Sequence, residues 1–277
     1  MSALPLACTV RDCGLPLERR ERTLVCARHH SYDIARSGYI NLLQPQDRRS
    51  PQAGDSKAAT EARARLLASG VGRAMLDAFV EQAAAICGHR RATVVDLGSG
   101  SGELLAALHD RQPIAGFGID VSTAAAEHAA RRFPSITWVV ANADRRLPLL
   151  DRSVQLVVSF NARRNPAECA RVLAEDGRLL VAIPAPDDLI ELRAVVQGNA
   201  MVRDRASLLV AEHESLFTVT EHSSISERHL LNRNALIDLL RVSYRGARFS
   251  EVESVDTLTS LDITMASDFF QLAPHRK

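Results

Sequence analysis

The sequence predicts an α/β protein: a doubly wound, mostly parallel sheet with helices on both faces, preceded by a small metal-stapled module. Three observations predict it. Strand-length apolar segments alternate with helix-length segments between residues 92 and 183, the pattern of consecutive βαβ units. The first of these strands runs into a glycine-rich turn and a helix, and the second ends in an acid 18 residues beyond the last of those glycines. Three of the five cysteines crowd into the first 26 residues, with two histidines just beyond. Composition agrees. The 277 residues are 46% hydrophobic and 24% charged, as in ordinary globular proteins, which excludes bulk disorder. No apolar run approaches the roughly 18 residues of a membrane helix. The first residues lack a basic segment followed by an apolar core, so the expected location is cytoplasmic. Three divisions follow: a module over 1–43, a linker and helix over 44–72, and the sheet domain over 73–277.

The module reads Cys8-x4-Cys13, twelve residues, then Cys26-x3-His30. Tetrahedral zinc takes four such ligands from two short knuckles. Gly14 follows the first knuckle, where a chain turning around a metal often needs positive φ. Residues 15–17 and 23–25 look like the arms of a short hairpin. So small a segment cannot bury enough apolar surface to fold alone, and a bound metal supplies the missing stability. A disulfide is disfavoured, because three cysteines leave one over and the expected compartment is reducing. His30 is the preferred fourth ligand, although His29 is within reach. Cys87 and Cys169 read as small apolar core residues.

Residues 44–56 have loop character, with Pro45, Arg48, Arg49, Pro51 and Gly54. Asp55 or Ser56 can cap a helix over 57–68, which Gly70 and Gly72 end. A second helix over 73–87 puts Met75, Phe79, Val80 and Ala83 on one face. Charge divides along the chain. Residues 1–73 hold 12 basic and 7 acidic side chains, against 22 and 26 in the remainder. A basic front on a mildly acidic body suits an anionic partner. Apart from Lys57 and Lys277, that positive charge is all arginine, which pairs with phosphate and stacks on bases.

The stretch Val94-Val95-Asp96-Leu97-Gly98-Ser99-Gly100-Ser101-Gly102-Glu103 opens the sheet domain, and Leu104 leads the next helix, over 104–111. A side-chain-free turn lets a ligand touch backbone and helix N-terminus. The second strand, 116–120, ends in Asp120, where a Rossmann-like sheet sets a carboxylate against ribose hydroxyls. The glycine spacing is not the Gly-x-Gly-x-x-Gly of dinucleotide sites, and no Gly-Lys-Ser/Thr follows for a nucleoside triphosphate. Asp96 at the strand end would repel a pyrophosphate but suits a cation. The ligand these features fit is S-adenosylmethionine, with its ammonium and sulfonium. Further on, a helix over 122–132, a strand over 137–141, a strand over 153–160, a helix over 166–173 and a strand over 179–183 continue the alternation. The turn Asn142-Ala143-Asp144 faces either the adenine ring or only its own backbone. Asn161, Ala162 and Arg163, at a strand's carboxyl end, should border the transferred methyl. Residues 189–245 read as helical stretches alternating with polar loops and receive no assigned role, and residues 251–272 read as two strands closing the sheet.

On these motifs the chain resembles the 23S rRNA (guanine-N1-)-methyltransferase family, zinc-ribbon enzymes with a class I S-adenosylmethionine domain. The most specific stretch is Ser31-Tyr32-Asp33-Ile34-Ala35-Arg36-Ser37-Gly38-Tyr39-Ile40-Asn41-Leu42-Leu43. Gly54-Asp55-Ser56, Glu61-Ala62-Arg63, Arg164-Asn165-Pro166 and Leu189-Ile190-Glu191-Leu192 also fit. The resemblance implies Cys8, Cys13, Cys26 and His30 as zinc ligands and Asp96, Gly98 and Asp120 as donor contacts. Ser99, Gly100, Gly102, Glu103, Leu104, Asn142, Asp144 and Asn161 complete the expected donor site. It further implies an RNA substrate, a 23S rRNA hairpin held in part by the zinc module, and it allows a homodimer.

The chain departs from the family pattern at four places. The first knuckle has four intervening residues instead of two. Val71 and Gly72 replace a His-Tyr pair, Arg163 replaces a proline, and Asp188 replaces a histidine. The last three fall where the acceptor base is expected. An alternative reading is therefore a diverged methyltransferase acting on a small molecule or another RNA, and a third is a non-catalytic RNA-binding protein. Under the first reading Asn161 orients the base edge. Arg163 either stabilises the developing guanine anion or lies on a solvated loop. Tyr32 and Tyr39 either stack on bases or, with more weight, fill the core beneath the knuckle. Arg19, Arg20, Arg48 and Arg49 are candidates for phosphate contact.

Overall fold

A computed structural model describes residues 4–47, 56–89, 91–198, 204–243, 255 and 258–275. Its centre is an eight-stranded sheet. The parallel strands are β4 (Ile40–Asn41), β5 (Ala92–Leu97), β6 (Ile114–Asp120), β7 (Thr137–Val140), β8 (Val154–Phe160) and β9 (Leu173–Pro184). The last two strands, β10 (Phe217–Asn232) and β11 (Ser260–Pro274), run antiparallel to each other, and β11 antiparallel to β9. The spatial order is β10-β11-β9-β8-β5-β6-β7-β4. The chain winds one way from β5 through β6 to β7 and the other way from β8, so β5 and β8 flank the switch point, where such sheets bind ligands. The strands read as continuous apolar runs because they are covered on both faces: Val94, Val95, Leu97, Leu156, Val157 and Val158 are all fully buried.

Helices α2 (Arg73–Cys87), α3 (Glu103–Arg111) and α4 (Thr123–Arg132) cover one face. Met75, Phe79, Val80 and Ala83 of α2 are buried as their helical spacing predicts. Phe79 meets Phe160 and Phe269 edge-on, with centroids 5.1 and 5.2 Å apart, a geometry that aromatic quadrupoles favour. The other face is covered partly by α5 (Pro166–Val172) and α7 (Arg205–His213), and partly by the N-terminal module. A smaller core of Leu66, Leu192, Leu231, Leu236, Leu240 and Ile263 joins α1 (Lys57–Ala68), α6 (Ile190–Gln197) and α8 (Arg233–Ser243) to the far end of the β10–β11 hairpin. Among the described residues no helix is long and apolar enough to cross a membrane.

The module consists of β1 (Glu18–Arg20), β2 (Thr23–Val25) and β3 (Ser31–Asp33), paired antiparallel in that order. The hairpin's first arm lies at 18–20 and not at the expected 15–17. Pro16 has no N–H to give a ladder and instead sits at an isolated bridge to Ala7. Gly14 does adopt the anticipated positive φ, +65°. The module shares the core of the body: Leu6, Leu17, Leu24, Ile40 and Leu42 are buried with Leu97, Ile119 and Val139. Strand β4 continues the main sheet beside β7, with Ile40 opposite Val139. The Ala7 N–H donates to Pro148 O at 3.0 Å, and Leu42 N–H to Val140 O at 3.0 Å.

Two expectations for the C-terminal third are corrected. Residues 189–245 hold, besides helices, a sixteen-residue strand, β10, where only helices and polar loops are expected. The described part of the tail is one strand, β11, whose partner is β10 and not a second tail strand. Strand β10 escapes a periodicity search because it is an edge strand. Its inward positions include Ser223, Glu227 and His229 among the apolar ones, so alternation of burial is not alternation of hydrophobicity.

Gly102 shows how tightly the body is built. It sits at φ +90° directly before α3, and a Cβ there would lie 2.5 Å from the Trp138 ring. Gly102→Ala should therefore lower unfolding stability by about 3 kcal/mol, the sum of overpacking and left-handed strain. Urea denaturation reads this directly, and a loss under about 1 kcal/mol would contradict it.

Candidate functional site

The turn between β5 and α3 is shaped from both sides. Gly98 has φ +72°, and a Cβ on it would meet Ala162 Cβ at 2.4 Å, so the turn lies directly against the chain leaving β8. The Gly98 and Ser99 N–H groups donate to Ile119 O at 2.8 and 3.1 Å, which ties the turn to β6. At the end of β6, Asp120 accepts from Gly100 N–H at 2.9 Å and Ser122 N–H at 2.8 Å. Its carboxylate is thereby fixed at the rim of the turn. Asp96, at the end of β5, is 2% exposed. Burial, reinforced by the nearby Asp120 charge, pushes its pKa up to about 7, and Arg63 acts in the opposite direction. The Ser99 hydroxyl is buried with no hydrogen-bond partner.

These features fit S-adenosylmethionine. A buried acid that resists ionisation is relieved by a cationic ligand. A buried hydroxyl without a partner marks a place where a polar ligand atom can sit. Of the three glycines only Gly98 is partly exposed, so a ligand can approach the turn's backbone there.

The remaining expected residues fall into two groups. Asn142 forms an Asx turn, its Oδ1 accepting from Asp144 N–H at 3.0 Å, while its Nδ2 donates to Asp47 O at 2.8 Å. Asp144 Oδ2 lies 3.4 Å from Arg163 Nη1. The turn is thus self-bonded, as one of its two readings has it, and Asp144 also lines a cleft of about 490 Å³ with Ala162, Arg163, Arg164, Asn165 and Glu212. Asn161 is exposed at the carboxyl end of β8, with φ +53°. Asparagine tolerates that left-handed conformation, which often marks functional positions. Glu103 and Leu104 are committed elsewhere. Glu103 pairs with Arg132 and accepts from the Ser101 hydroxyl, and the Leu104 side chain is in the core.

The departures at the acceptor side have structural uses. Val71 is buried in the small α1–α6–α8 core. Gly72 takes φ +77° as the cap before α2. Asp188 accepts from Ala266 N–H at 3.0 Å, anchoring β11, and burial pushes its pKa up to about 6. Arg164 is half-buried, donating to Ala162 O at 3.2 Å and to His213 Nε2 at 3.2 Å, while its neighbour Arg163 is exposed. Sequence reasoning missed the His213 and Trp138 supports, whose contacts lie dozens of residues away along the chain.

The second site lies in the module. The ligand atoms of Cys8, Cys13, Cys26 and His30 all fall within 4.8 Å of one another. Cys13 Sγ and Cys26 Sγ are 3.8 Å apart, and His30 Nδ1 is 3.4 Å from Cys8 Sγ and 3.5 Å from Cys26 Sγ. A tetrahedral zinc spaces two sulfurs about 3.8 Å apart and a sulfur and a nitrogen about 3.5 Å apart. His29 is turned out at φ +63° and exposed, which separates it from the cluster that His30 joins. The Tyr32 hydroxyl lies 3.2 Å from Cys8 Sγ and accepts from Thr9 N–H at 3.1 Å. Tyr39 packs against the helical face of the sheet. Tyr32 thus lies in the core beneath the knuckle, whereas Tyr39 belongs to the core under α2, α3 and α4 and not to the one expected for it. Arg48, Arg49, Gly54 and Asp55 lie outside the described residues; Ser56 caps α1, accepting from Ala59 N–H at 3.2 Å.

Comparison with known proteins agrees with both sites. A family model described as a methyltransferase domain matches residues 94–181, and one for the zinc ribbon described as RlmA, N-terminal, matches residues 7–51. A putative 23S rRNA (guanine-N(1)-)-methyltransferase of Micromonospora griseorubida is 39% identical, over 68% of this chain and 68% of that protein. A 23S rRNA (guanine(748)-N(1))-methyltransferase of Streptomyces fradiae is 36% identical, over 72% and 71%. A putative 23S rRNA (guanine-N(1)-)-methyltransferase of Bacillus subtilis is 30% identical, over 87% and 90%. A putative methyltransferase structure from Bacillus halodurans shares the fold, with TM-score 0.52 at 14% identity over 70% of this chain and 96% of that one. With a zinc-ligand cluster, a glycine turn between two carboxylates and these relatives, the chain belongs to the 23S rRNA (guanine-N1-)-methyltransferase family.

Proposed function

We infer that the protein transfers a methyl group from S-adenosylmethionine to N1 of a guanine in 23S rRNA. The observation that carries this is the sharing of one sheet and one core by the two sites: the zinc-ligand module lies along β7, whose carboxyl end leads into the Asp144–Arg163 cleft. When bound, S-adenosylmethionine supplies a methyl already activated on sulfur for in-line displacement. The chain's own residues align the partners. Asp120 holds the ribose, Asp96 the cationic amino-acid end, and the backbone at Gly98 admits the ligand. Asn161 orients the guanine edge, and Arg163 stabilises the negative charge that develops as the N1 proton leaves. The acceptor is presented by a hairpin, and its guanine is unstacked into the cleft at a cost of a few kcal/mol.

RNA is further held by arginines around the module. Besides Arg19 and Arg20, exposed in β1, Arg145 and Arg146 lie exposed between the module and the cleft. The Arg146 guanidinium is 3.2 Å from where a Gly14 side chain would begin. They extend the basic surface from the zinc site toward Arg163. The protein acts in the cytoplasm. A homodimer would find room along β10, whose outer edge pairs with no described strand.

The rRNA acceptor is supported over a small molecule by the zinc-ribbon match and by relatives of 36–39% identity named as 23S rRNA guanine-N1 methyltransferases. The test is primer extension on 23S rRNA from cells with and without the gene. N1 methylation blocks base pairing, so one guanine-specific stop should vanish in the deletion strain. An identical pattern of stops in both strains would reject the assignment.

A further inference from the structure

The cation beside the glycine turn comes from α1, outside the alternating β/α body. Arg63 Nη1 lies 3.3 Å from the point where a Gly100 side chain would begin. Its charge acts on Asp96, and Asp96 and Asp120 interact across the same turn. Arg63 is only partly exposed. The helix that presents it is anchored along its length. Ser56 caps its first turn. Arg65 forks onto Asp238 of α8 at 2.8 and 2.7 Å. Leu66 is buried in the small α1–α6–α8 core. The guanidinium is therefore delivered to a set place.

Given that the glycine turn binds S-adenosylmethionine, the amino-acid end of that molecule poses a charge problem. It is a zwitterion, and Asp96 and Asp120 can answer only its cationic part and its hydroxyls. A carboxylate brought next to two buried acids needs a cation of its own. Arg132 is held by Glu103, and Arg163 lies beside Asp144 on the cleft assigned to the acceptor base, whereas Arg63 lies against the turn itself. We propose that Arg63 binds the α-carboxylate of the donor's amino-acid end while Asp96 takes the ammonium. A guanidinium suits this task because it grips a carboxylate through two parallel N–H···O bonds. The site would thus answer each charge of the ligand's amino-acid end with an opposite one.

The test is calorimetric binding to the full chain of S-adenosylhomocysteine and of 5′-methylthioadenosine, which lacks the amino-acid end. Arg63→Ala should weaken S-adenosylhomocysteine by about 10- to 100-fold and leave methylthioadenosine unchanged. Arg63→Lys should restore part of the loss, since it returns the charge without the fork. Equal weakening of both ligands would assign Arg63 a structural role in the turn and overturn the proposal, as would unchanged affinity for both. Should the alanine variant fail to fold, the lysine and Arg63→Gln variants carry the same comparison. If the wild-type chain binds neither ligand, the donor-site reading itself falls, an outcome distinct from failure of the Arg63 assignment.

Discussion

Removal of zinc from Cys8, Cys13, Cys26 and His30 will loosen the edge of the main sheet as well as the first forty residues. The three strands of the module have three residues each. Strands so short are not stable alone, so metal binding is their folding energy. The module is not an independent bead, because β4 lies along β7 and Leu6, Leu17, Leu24, Ile40 and Leu42 help fill the core beneath β5, β6 and β7. Chelation, or Cys26→Ser, should cost about 3–5 kcal/mol and lower the melting temperature by about 10 °C. Amide exchange in Thr137–Val140 should accelerate with it, since β7 loses a neighbour. Unchanged exchange in β7 of the metal-free protein would show the two units to be uncoupled.

Donor affinity will rise with pH up to about 7 and then level off. Asp96 in the ligand-free protein is held near 7, first by burial and then by Asp120. A cationic ligand favours the ionised carboxylate, so below pH 7 binding must expel a proton. Affinity should fall by roughly tenfold per unit below that point, with close to one proton released per ligand at pH 6 and few at pH 7.5. Asp96→Asn should bind weakly and show no such slope. The same group sets a stability slope of opposite sense in the ligand-free protein. Its folded pKa lies above its unfolded one, so the folded state holds the extra proton between about pH 4 and 7. Stability from this group is therefore present at the acid end of that window and declines as pH rises through it. Calorimetry of S-adenosylmethionine binding between pH 5.5 and 7.5 decides the matter, and a flat profile in the wild-type protein would refute it.

Two of the site's parts were legible because their chemistry is local. Cys8, Cys13, Cys26 and His30 announce themselves by spacing, and the structure brings all four together. Asp96, Gly98, Gly102 and Asp120 sit at strand ends and turns that short stretches of sequence define, and the structure places them around one turn. Glu103 and Leu104 belong to the same stretch, yet their side chains turn to Arg132 and to the core. Sequence adjacency marks the backbone of a binding turn but not the direction of each side chain at a helix start.

The sequence by itself determined the class of fold, the run of β5 through β9 with their helices, and the residue types able to hold zinc and a cationic nucleoside. These follow from periodicities and spacings within a few dozen residues, where the chain's own geometry sets what can meet. Tertiary structure alone decided that Arg63 reaches the glycine turn, that Asp144 faces Arg163, that Val71 and Asp188 point into packing, and that β10 is a strand. Each depends on which distant surface a segment is pressed against. For β10 the half-polar inner face hides the alternation until β11 lies beside it. For Arg63 nothing along α1 says which turn its exposed-looking arginine will meet, because packing against α8 and the small core sets the helix's rotation.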